Sequence, residues 1–180
     1  MRAVLVNAES FLEQRRRQGM DKFDEMWEGE WHFVNPPKSW HSFLNGDMLV
    51  VLRPHAERAG LRSTGDALGV FASGSDWRIP DQAYVRPDQI VEEGVTGAEF
   101  VVEFRSPGDE SYAKLPFYAG RGVTEAMIVH RDRRFELFGL DGAGAYQPVE
   151  DGRCETLGVT FSTVAGPKLR IEWDGGSAEV

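Results

Sequence analysis

The most constraining feature of the sequence is an apolar run at residues 100–102, Phe-Val-Val, which ends at the acidic residue Glu103. A strand with one face in water alternates apolar and polar side chains, whereas a strand covered on both faces is apolar at consecutive positions. Residues 98–105 therefore predict a central strand with a packed layer on each side. A chain of 180 residues is long enough to bury such a core.

The rest of the chain divides into helical and extended segments around this strand. Leu44, Met48 and Leu52 recur at helical spacing and predict a long helix over residues 39–58. Pro54 weakens this prediction, because a proline inside a helix kinks it. Shorter helices are predicted at residues 8–17 and 111–119, with Pro116 in the first turn of the latter. Further strands are predicted at residues 31–34, 67–72, 78–85, 126–130 and 135–140, with a terminal hairpin at 157–163 and 169–173. We expect one α+β domain over residues 1–180, with a mixed central sheet flanked by helices and a C-terminal β-hairpin extension.

The charge of the chain bears on the partners it can have. The formal net charge of −9 is unfavourable for binding nucleic acid, because such proteins gain affinity from Lys and Arg side chains that meet phosphates. Two local arginine clusters, at residues 15–17 and 131–134, are basic although the chain as a whole is acidic. Each is either a basic patch or a solvated face.

Cysteine and apolar content indicate the compartment. The chain holds a single cysteine, Cys154, so it cannot form an intramolecular disulfide, and a zinc site built on several thiolates is excluded. This usage is typical of the reducing cytoplasm, where we expect the protein. The longest apolar runs, such as residues 48–52, fall far short of a membrane span, and the N-terminal residues turn polar too early for a secretory signal. We therefore expect no membrane partner.

Two acidic residues and one lysine are the candidates for chemistry. Asp81 follows Pro80 in an extended segment, and Glu103 ends the central strand, where a carboxylate is too costly to bury without a partner. A shared Mg²⁺ ion is one such partner, and the two carboxylates with the backbone carbonyl of Phe104 would suffice as its protein ligands. Bound Mg²⁺ would activate water to attack a phosphate, and Lys114 would position that water or neutralise the developing anion.

The same residues also have a purely structural interpretation. An aspartate after a proline is typical of a turn. Glu103 would then pair with Arg105, which lies two residues along on the same face of the strand. The residues alone leave both interpretations open.

Four motifs in a fixed order resemble the Uma-type putative restriction endonuclease family, which is placed in the PD-(D/E)XK nuclease superfamily. The family pattern is a proline-aspartate, a hydrophobic strand ending in Glu-x-x-Ser-Pro, then a lysine, a tyrosine and a Gly-Val turn. The matching segments are Pro80-Asp81, residues 101–107 (VVEFRSP), residues 114–123 (KLPFYAGRGV) and the acidic segment 24–30 (DEMWEGE). His41 matches the histidine that opens the family's long helix. The resemblance covers roughly residues 8–140.

The resemblance implies a restriction-endonuclease-like fold and a Mg²⁺- or Mn²⁺-dependent endonuclease that hydrolyses phosphodiester bonds of DNA. It implies Asp81 and Glu103 as metal ligands, Glu25 as a further acidic group, and Lys114 as a lysine that reaches the site from the following helix. The chain departs from the superfamily pattern at Arg105. This arginine stands where the strand lysine of Glu-x-Lys is expected, and it stays protonated.

This departure leaves two hypotheses. Either Lys114 takes over the role of the strand lysine, or the protein is a catalytically inactive nuclease-fold module for binding or assembly. For an active endonuclease we expect a homodimer, because cutting both strands needs two sites and two-fold dimers are the commonest oligomers.

Overall fold

The computed structural model describes residues 8–65, 68–106 and 108–180. Its helices are α1 (Ala8–Arg17), α2 (Ser39–Arg58) and α3 (Ser111–Gly120), and all of them lie where the sequence predicted helices. Short 3₁₀ turns occur at Asp21–Phe23 and Pro87–Gln89. None of the described helices is long and apolar enough to cross a membrane. The predicted strand start at Ala67 and the motif residue Pro107 lie outside the described residues.

The strands build three sheets. In chain order they are β1 (Glu25–Trp27), β2 (Glu30–His32), β3 (Arg62–Thr64), β4 (Val70–Ser73), β5 (Asp76–Arg78), β6 (Gln82–Val85), β7 (Phe100–Arg105), β8 (Glu125–His130), β9 (Phe135–Leu140), β10 (Tyr146–Pro148), β11 (Arg153–Cys154), β12 (Val159–Val164), β13 (Lys168–Trp173) and β14 (Gly176–Glu179). The N-terminal sheet has the order β2-β1-β5-β4, the central sheet β10-β9-β8-β7-β6-β3, and the C-terminal sheet β11-β12-β13-β14.

Strand β7 lies inside the central sheet. It pairs in parallel with β8 and antiparallel with β6, and its first five residues are buried. Helix α3 forms the crossover between β7 and β8, because parallel neighbours cannot be joined by a tight turn. The prediction of a mixed sheet around a central strand is confirmed.

The two faces of β7 pack against different layers. Phe100 and Val102 lie in one apolar cluster with the buried side of α2 and with Phe161 of the C-terminal sheet. Val101 lies in a second cluster with Tyr118 of α3. Each such buried side chain stabilises the fold by about 1.5–3 kcal/mol. Because side chains alternate along a strand, the residue two places after Val101 also faces α3. That residues 1–180 form one domain stays a prediction, which the apolar cluster shared by the central and C-terminal sheets supports.

Several segments differ from the sequence-based expectation. Residues 78–85 form two strands in different sheets, β5 and β6, since Pro80 has no N–H to continue a ladder. Pro116 is the sixth residue of α3, so the placement in the first turn is wrong. The strand expected at residues 31–34 is β2, which pairs with the unpredicted β1. The terminal hairpin, β12 with β13, is confirmed, and β11 and β14 extend it to four strands.

The first arginine of the 15–17 cluster is buried. Its Nε and Nη2 atoms donate to the two carboxylate oxygens of Asp24 at 2.7 and 2.5 Å. Arg15 therefore ties α1 to the start of β1, and only Arg16 and Arg17 are exposed. The predicted cluster, whether it is a basic patch or a solvated face, is therefore reduced to Arg16 and Arg17.

Arg78 attaches the N-terminal sheet to α3. Its guanidinium lies between the rings of Trp27 and Phe117, at 4.2 and 4.3 Å from their centroids. Phe117 belongs to α3, whereas Trp27 ends β1. This cation–π sandwich therefore holds β1 above the helix that follows β7.

Candidate active site

The candidate site lies where the chain passes from the N-terminal sheet into the central sheet. Residues 79–81 link β5 to β6, and Asp81 is the last residue before β6. Because β6 runs antiparallel to β7, with Gln82 opposite Val102, this link reaches the carboxyl end of β7. The predicted residues Asp81 and Glu103 therefore lie at the same end of the sheet.

The carboxylate of Asp81 is held from two directions. Its Oδ2 atom accepts a 2.6 Å hydrogen bond from the backbone N–H of Phe104, and its Oδ1 atom lies 2.9 Å from Nε2 of His41 in the first turn of α2. The rings of His41 and Phe104 pack edge to face at 5.1 Å between centroids. Asp81 is thus oriented at the end of β7, and 24% of its side chain stays exposed to ligands.

The backbone of Phe104 is the expected source of a third oxygen. In a strand, the N–H and the carbonyl of one residue are directed to the same neighbour. The N–H of Phe104 points to Asp81, beyond the start of β6. By this geometry we expect the carbonyl on the same side of β7, and its role as a metal ligand stays a prediction.

Glu103 is buried on the face of β7 that contacts α3, with 4% of the residue exposed. The hydroxyl of Tyr118 donates to Oε1 at 2.5 Å, and the ammonium of Lys114 donates to Oε2 at 3.1 Å. These two donors are four residues apart on α3, which places them on one face of the helix. Burial raises the pKa of Glu103 to about 8; the positive charge of Lys114 opposes this effect, and the negative charges of Asp81 and Glu25 add to it.

Glu25 closes the site from the N-terminal sheet. Its Oε1 atom lies 2.7 Å from the ammonium of Lys114 and accepts a 2.8 Å hydrogen bond from the N–H of Ile79, while its Oε2 atom accepts the indole N–H of Trp27 at 2.7 Å. Lys114 also donates to the carbonyl of Ile79 at 3.0 Å. Burial alone would lower the pKa of Lys114. The carboxylates of Glu103 and Glu25 outweigh burial and raise this pKa above its usual range.

Arg105 does not enter the cluster. It shares a face of β7 with Glu103, but its guanidinium lies over the ring of Tyr112, 5.1 Å from the centroid. The described residues contain no ion pair between Glu103 and Arg105, and the partners of Glu103 are Lys114 and Tyr118. The structural alternative raised by the sequence therefore does not account for this carboxylate.

The donor chemistry fits a hard divalent cation. Once Glu103 has lost its proton, Glu25, Asp81 and Glu103 place three carboxylates around the one ammonium of Lys114, a formal excess of two negative charges (three minus one). Carboxylate and carbonyl oxygens are the ligands that Mg²⁺ and Mn²⁺ prefer. Among the described residues, no group of three or more His, Cys, Asp or Glu side chains is arranged to hold a metal ion. A cation would rely on Asp81, Glu103, the carbonyl of Phe104 and water.

Three residues that were not predicted as site residues contact the site. His41 bonds Asp81, Asn45 donates to the carbonyl of Asp81 at 3.3 Å, and Tyr118 bonds Glu103. The available signal was spacing. His41 and Asn45 are four residues apart on α2, just as Lys114 and Tyr118 are on α3, so each helix presents two polar residues on one face.

A buried hydrogen-bond chain continues from the site into the core. Nε2 of Gln82 donates to Oδ1 of Asn45 at 2.9 Å, and the hydroxyl of Tyr84 donates to Oε1 of Gln82 at 2.6 Å. Both Gln82 and Tyr84 are fully buried. Because these polar groups satisfy one another, the backbone beneath Asp81 is fixed at little cost in free energy.

Comparison with protein families tests the resemblance to the Uma-type family. A family model described as Uma2, putative restriction endonuclease, matches residues 8–165. The chain belongs to this family. The match includes the whole N-terminal and central sheets and reaches into the C-terminal sheet, so it extends past the residues that carried the resemblance. No curated protein matches the chain.

A solved structure shares the fold of this family member. It is the crystal structure of a putative nuclease belonging to DUF820 from Anabaena variabilis ATCC 29413, with a TM-score of 0.55 and 13% sequence identity. The alignment covers 80% of this chain and 82% of that chain. At this identity the similarity establishes the fold alone, and it confirms the predicted fold class.

Proposed function

We propose that the protein is a Mg²⁺- or Mn²⁺-dependent endonuclease that hydrolyses phosphodiester bonds of DNA. The observation that carries the proposal is the meeting of Asp81, Glu103 and Lys114 at the carboxyl end of β7, where the N–H of Phe104 bonds Asp81. Membership of the restriction endonuclease family supports this class of reaction.

Asp81, Glu103 and the carbonyl of Phe104 would hold the metal ion. Such an ion, when bound, acidifies water and stabilises charge on a phosphate. The chain supplies the orientation of the ligands. His41 and the N–H of Phe104 fix Asp81, while Tyr118 fixes Glu103, so both carboxylates reach the bound geometry with little loss of entropy.

Lys114 acts as a cation in this proposal. Its pKa is raised by the carboxylates beside it, so its ammonium keeps its proton at neutral pH and is not a base. Placed next to a phosphate, the ammonium would donate hydrogen bonds to the oxygens on which negative charge develops. Arg105 lies over the ring of Tyr112 and, among the described residues, forms no ion pair with Glu103.

The basic turn at residues 131–134 supports DNA as the substrate. It joins β8 to β9 at the end of the sheet where β7 also ends, since Arg105 and His130 are paired in the parallel register. Arg131 and Arg134 are exposed there, although Arg134 pairs with Asp132 at 2.8 Å. These side chains can contact phosphates locally despite the net charge of −9.

Nicking of supercoiled plasmid DNA with Mg²⁺ or Mn²⁺ tests the proposal. Asp81→Asn and Glu103→Gln should each lower the rate by roughly 100-fold or more, because each removes a charged ligand while keeping the shape of the side chain. Asp88→Asn, at a carboxylate with 74% exposure, is the matched control and should cleave normally. Equal cleavage by all four proteins would assign the activity to a contaminant or to another site.

One observation favours a second function, a nuclease-fold module that binds without cleaving. The ammonium of Lys114 already bonds both Glu25 and Glu103, as an internal cation would. Calorimetry with Mn²⁺ separates the two functions. Heat that disappears in Asp81→Asn supports the endonuclease, whereas no carboxylate-dependent heat at millimolar Mn²⁺ supports the module.

We also infer a homodimer in the cytoplasm. Cleavage of both DNA strands requires two sites, which a two-fold dimer provides. Light scattering that finds only a 20.2 kDa species would contradict the dimer. The location rests on the single cysteine, Cys154, which is buried and has no second cysteine in the chain to pair with.

A further inference from the structure

A cavity of about 270 Å³ adjoins the candidate active site on the far side of Ile79. Ile79 lines this cavity, and its backbone bonds both Glu25 and Lys114. A single residue, Ile79, therefore separates the cavity from the groups that would hold a scissile phosphate. Its volume lies just below the usual range for drug-sized ligands, about 300–1,000 Å³, so it suits a group the size of one or two rings.

Three aromatic side chains form the walls of the cavity. Trp31 meets Trp77 at 5.7 Å between centroids and at 85°, and Phe71 stacks on Trp77 at 5.5 Å. The indole N–H of Trp77 donates to the carbonyl of Asp24 at 3.3 Å, which fixes the orientation of that ring. Trp31 is 37% exposed, and Phe33 stacks on it at 6.5 Å between centroids. Such an arrangement offers π faces to an entering planar ring.

Glycine keeps one wall of the cavity close to these rings. A Cβ atom added at Gly69 would come within 2.5 Å of the ring of Phe71. The backbone of Gly69 therefore approaches Phe71 more closely than any residue with a side chain would allow without displacing that ring.

Charged side chains at the rim suit a nucleotide. Arg16 and Lys22 are exposed and line the cavity, and within the described part of the chain neither forms an ion pair. Asp21 and Glu93 line it as well, so the rim carries both signs of charge. Cations can bind the phosphates that flank a base, and a carboxylate can accept a hydrogen bond from an exocyclic amino group.

We propose that this cavity binds one unpaired nucleobase of the substrate, next to the phosphodiester bond to be cleaved. The inference rests on the proposed nuclease function and narrows its substrate class. A base inside a duplex is stacked and paired and cannot enter the cavity. The preferred substrate is therefore DNA with an unpaired nucleotide at the cleavage position, such as a single strand or a flap.

Binding is tested first, without metal and hence without cleavage. Fluorescence anisotropy of an end-labelled single-stranded deoxyadenosine 8-mer in EDTA gives its affinity for the wild type. Trp31→Ala should weaken binding about 5- to 150-fold, the range expected for one lost stacking contact. The control is Phe43→Ala, which removes an aromatic side chain with 73% exposure from α2 and should leave the affinity unchanged. Equal affinities for Trp31→Ala and the wild type would overturn the proposal.

Cleavage is tested second, with matched substrates. The wild type with Mn²⁺ should cut a flap-containing duplex at least tenfold faster than the fully paired duplex, and Trp31→Ala should abolish this preference while duplex cutting persists. Equal rates on both DNAs would overturn the inference and leave the nuclease proposal intact. No cleavage of any DNA, together with oligonucleotide binding that depends on Trp31, would overturn the nuclease proposal and support the base-binding cavity.

Discussion

Lys114 on α3 donates a hydrogen bond of 3.1 Å to Oε2 of Glu103 on β7. The cation thus reaches this carboxylate from the helix that follows the strand, whereas the superfamily pattern has its lysine on the strand itself, at the position of Arg105. Residues 103 and 105 face the same side of the sheet, toward α3. A lysine from either position can therefore approach the same carboxylate, which supports the hypothesis that Lys114 has taken over this role.

An exchange of the lysine position tests this hypothesis. Lys114→Met should lower the rate of plasmid nicking at saturating Mn²⁺ by roughly 100-fold, because the ammonium beside the phosphate is lost. Adding Arg105→Lys to that variant should restore part of the rate. Lys168→Met, which removes a lysine with 53% exposure from the C-terminal sheet, is the control. A folded Lys114→Met protein that cleaves at the wild-type rate would contradict the role of this lysine.

Metal binding should depend on pH through Glu103. Burial raises the pKa of this carboxyl to about 8, so at neutral pH a cation must displace its proton. We expect Mn²⁺ affinity to rise about tenfold per pH unit below pH 8 and to level off above it. Calorimetry at pH 6.5, in two buffers of different ionisation enthalpy, should detect release of about one proton. Affinity that does not change between pH 6.5 and 8.5 would contradict this assignment.

The carboxyl group of Glu103 should also make the metal-free protein less stable as the pH rises. Its pKa is about 8 in the native state and about 4.3 in the unfolded chain, so the native state binds more protons between these values. The stabilisation is complete below about pH 4 and is lost as the pH rises through about 8. We expect the free energy of unfolding to fall by on the order of a few kcal/mol between pH 5 and pH 9.

Urea denaturation at several pH values measures this effect, and Glu103→Gln is the matched variant because it cannot ionise. Burial acts to raise the pKa of Glu136, but hydrogen bonds from Tyr112 and His130 outweigh it and lower this pKa. Hydrogen bonds from Arg170 and Lys168 lower the pKa of Glu179. Their contributions are lost only as the pH falls below about 4.5, outside this window. Parallel pH profiles for the wild type and Glu103→Gln would exclude Glu103 as the cause.

His41 should act by positioning Asp81. Its Nε2 atom lies 2.9 Å from Oδ1 of Asp81, so His41→Ala frees the carboxylate and should lower Mn²⁺ affinity about 10- to 100-fold. His41→Gln keeps a donor and should recover part of this loss. The control is His55→Gln, a second buried histidine of α2, which packs against Trp173 and lies apart from the site. Equal losses of Mn²⁺ affinity in His55→Gln and His41→Ala would indicate a general loss of folding.

The sequence predicted those features that arise from local pattern. The apolar run at residues 100–102 specifies a buried strand because every residue of it must leave water, and the 3.6-residue period specifies α2 even though Pro54 interrupts its hydrogen bonds. The sequence could place Asp81 and Glu103 together because Pro80 forces an extended backbone before Asp81 and because the apolar run ends at Glu103, although β7 itself continues to Arg105. Their actual hydrogen-bond partners were predicted only in part.

The features that were missed depend on contacts between distant parts of the chain. Glu25 bonds the N–H of Ile79 across 54 positions, and the buried Arg15 bonds Asp24, nine positions further along the chain. No periodicity marks either contact, since each involves a single polar residue. The sequence therefore predicted one cluster of three arginines at residues 15–17, whereas the structure buries Arg15 in an ion pair and leaves Arg16 and Arg17 exposed.

The sandwich at Arg78 should control both stability and the site. Its guanidinium lies between Trp27 and Phe117 and donates to the carbonyl of Met26 at 3.0 Å, so Arg78→Met should lower the free energy of unfolding by roughly 2–4 kcal/mol. Arg78→Lys keeps the charge but lacks the flat face that stacks between two rings, and it should recover less than half of that loss.

The effect on the site follows from where the two rings are attached. Phe117 lies on α3 three residues after Lys114, and Trp27 lies on β1 two residues after Glu25. Loosening the sandwich should therefore weaken the contact between Glu25 and Lys114 and lower the cleavage rate in protein that is still folded. Denaturation and nicking assays at a temperature where Arg78→Met is fully native measure the two effects separately. The control is Arg86→Met, at an arginine whose side chain is 50% exposed. An Arg78→Met protein of normal stability would show that the sandwich does not hold the N-terminal sheet in place.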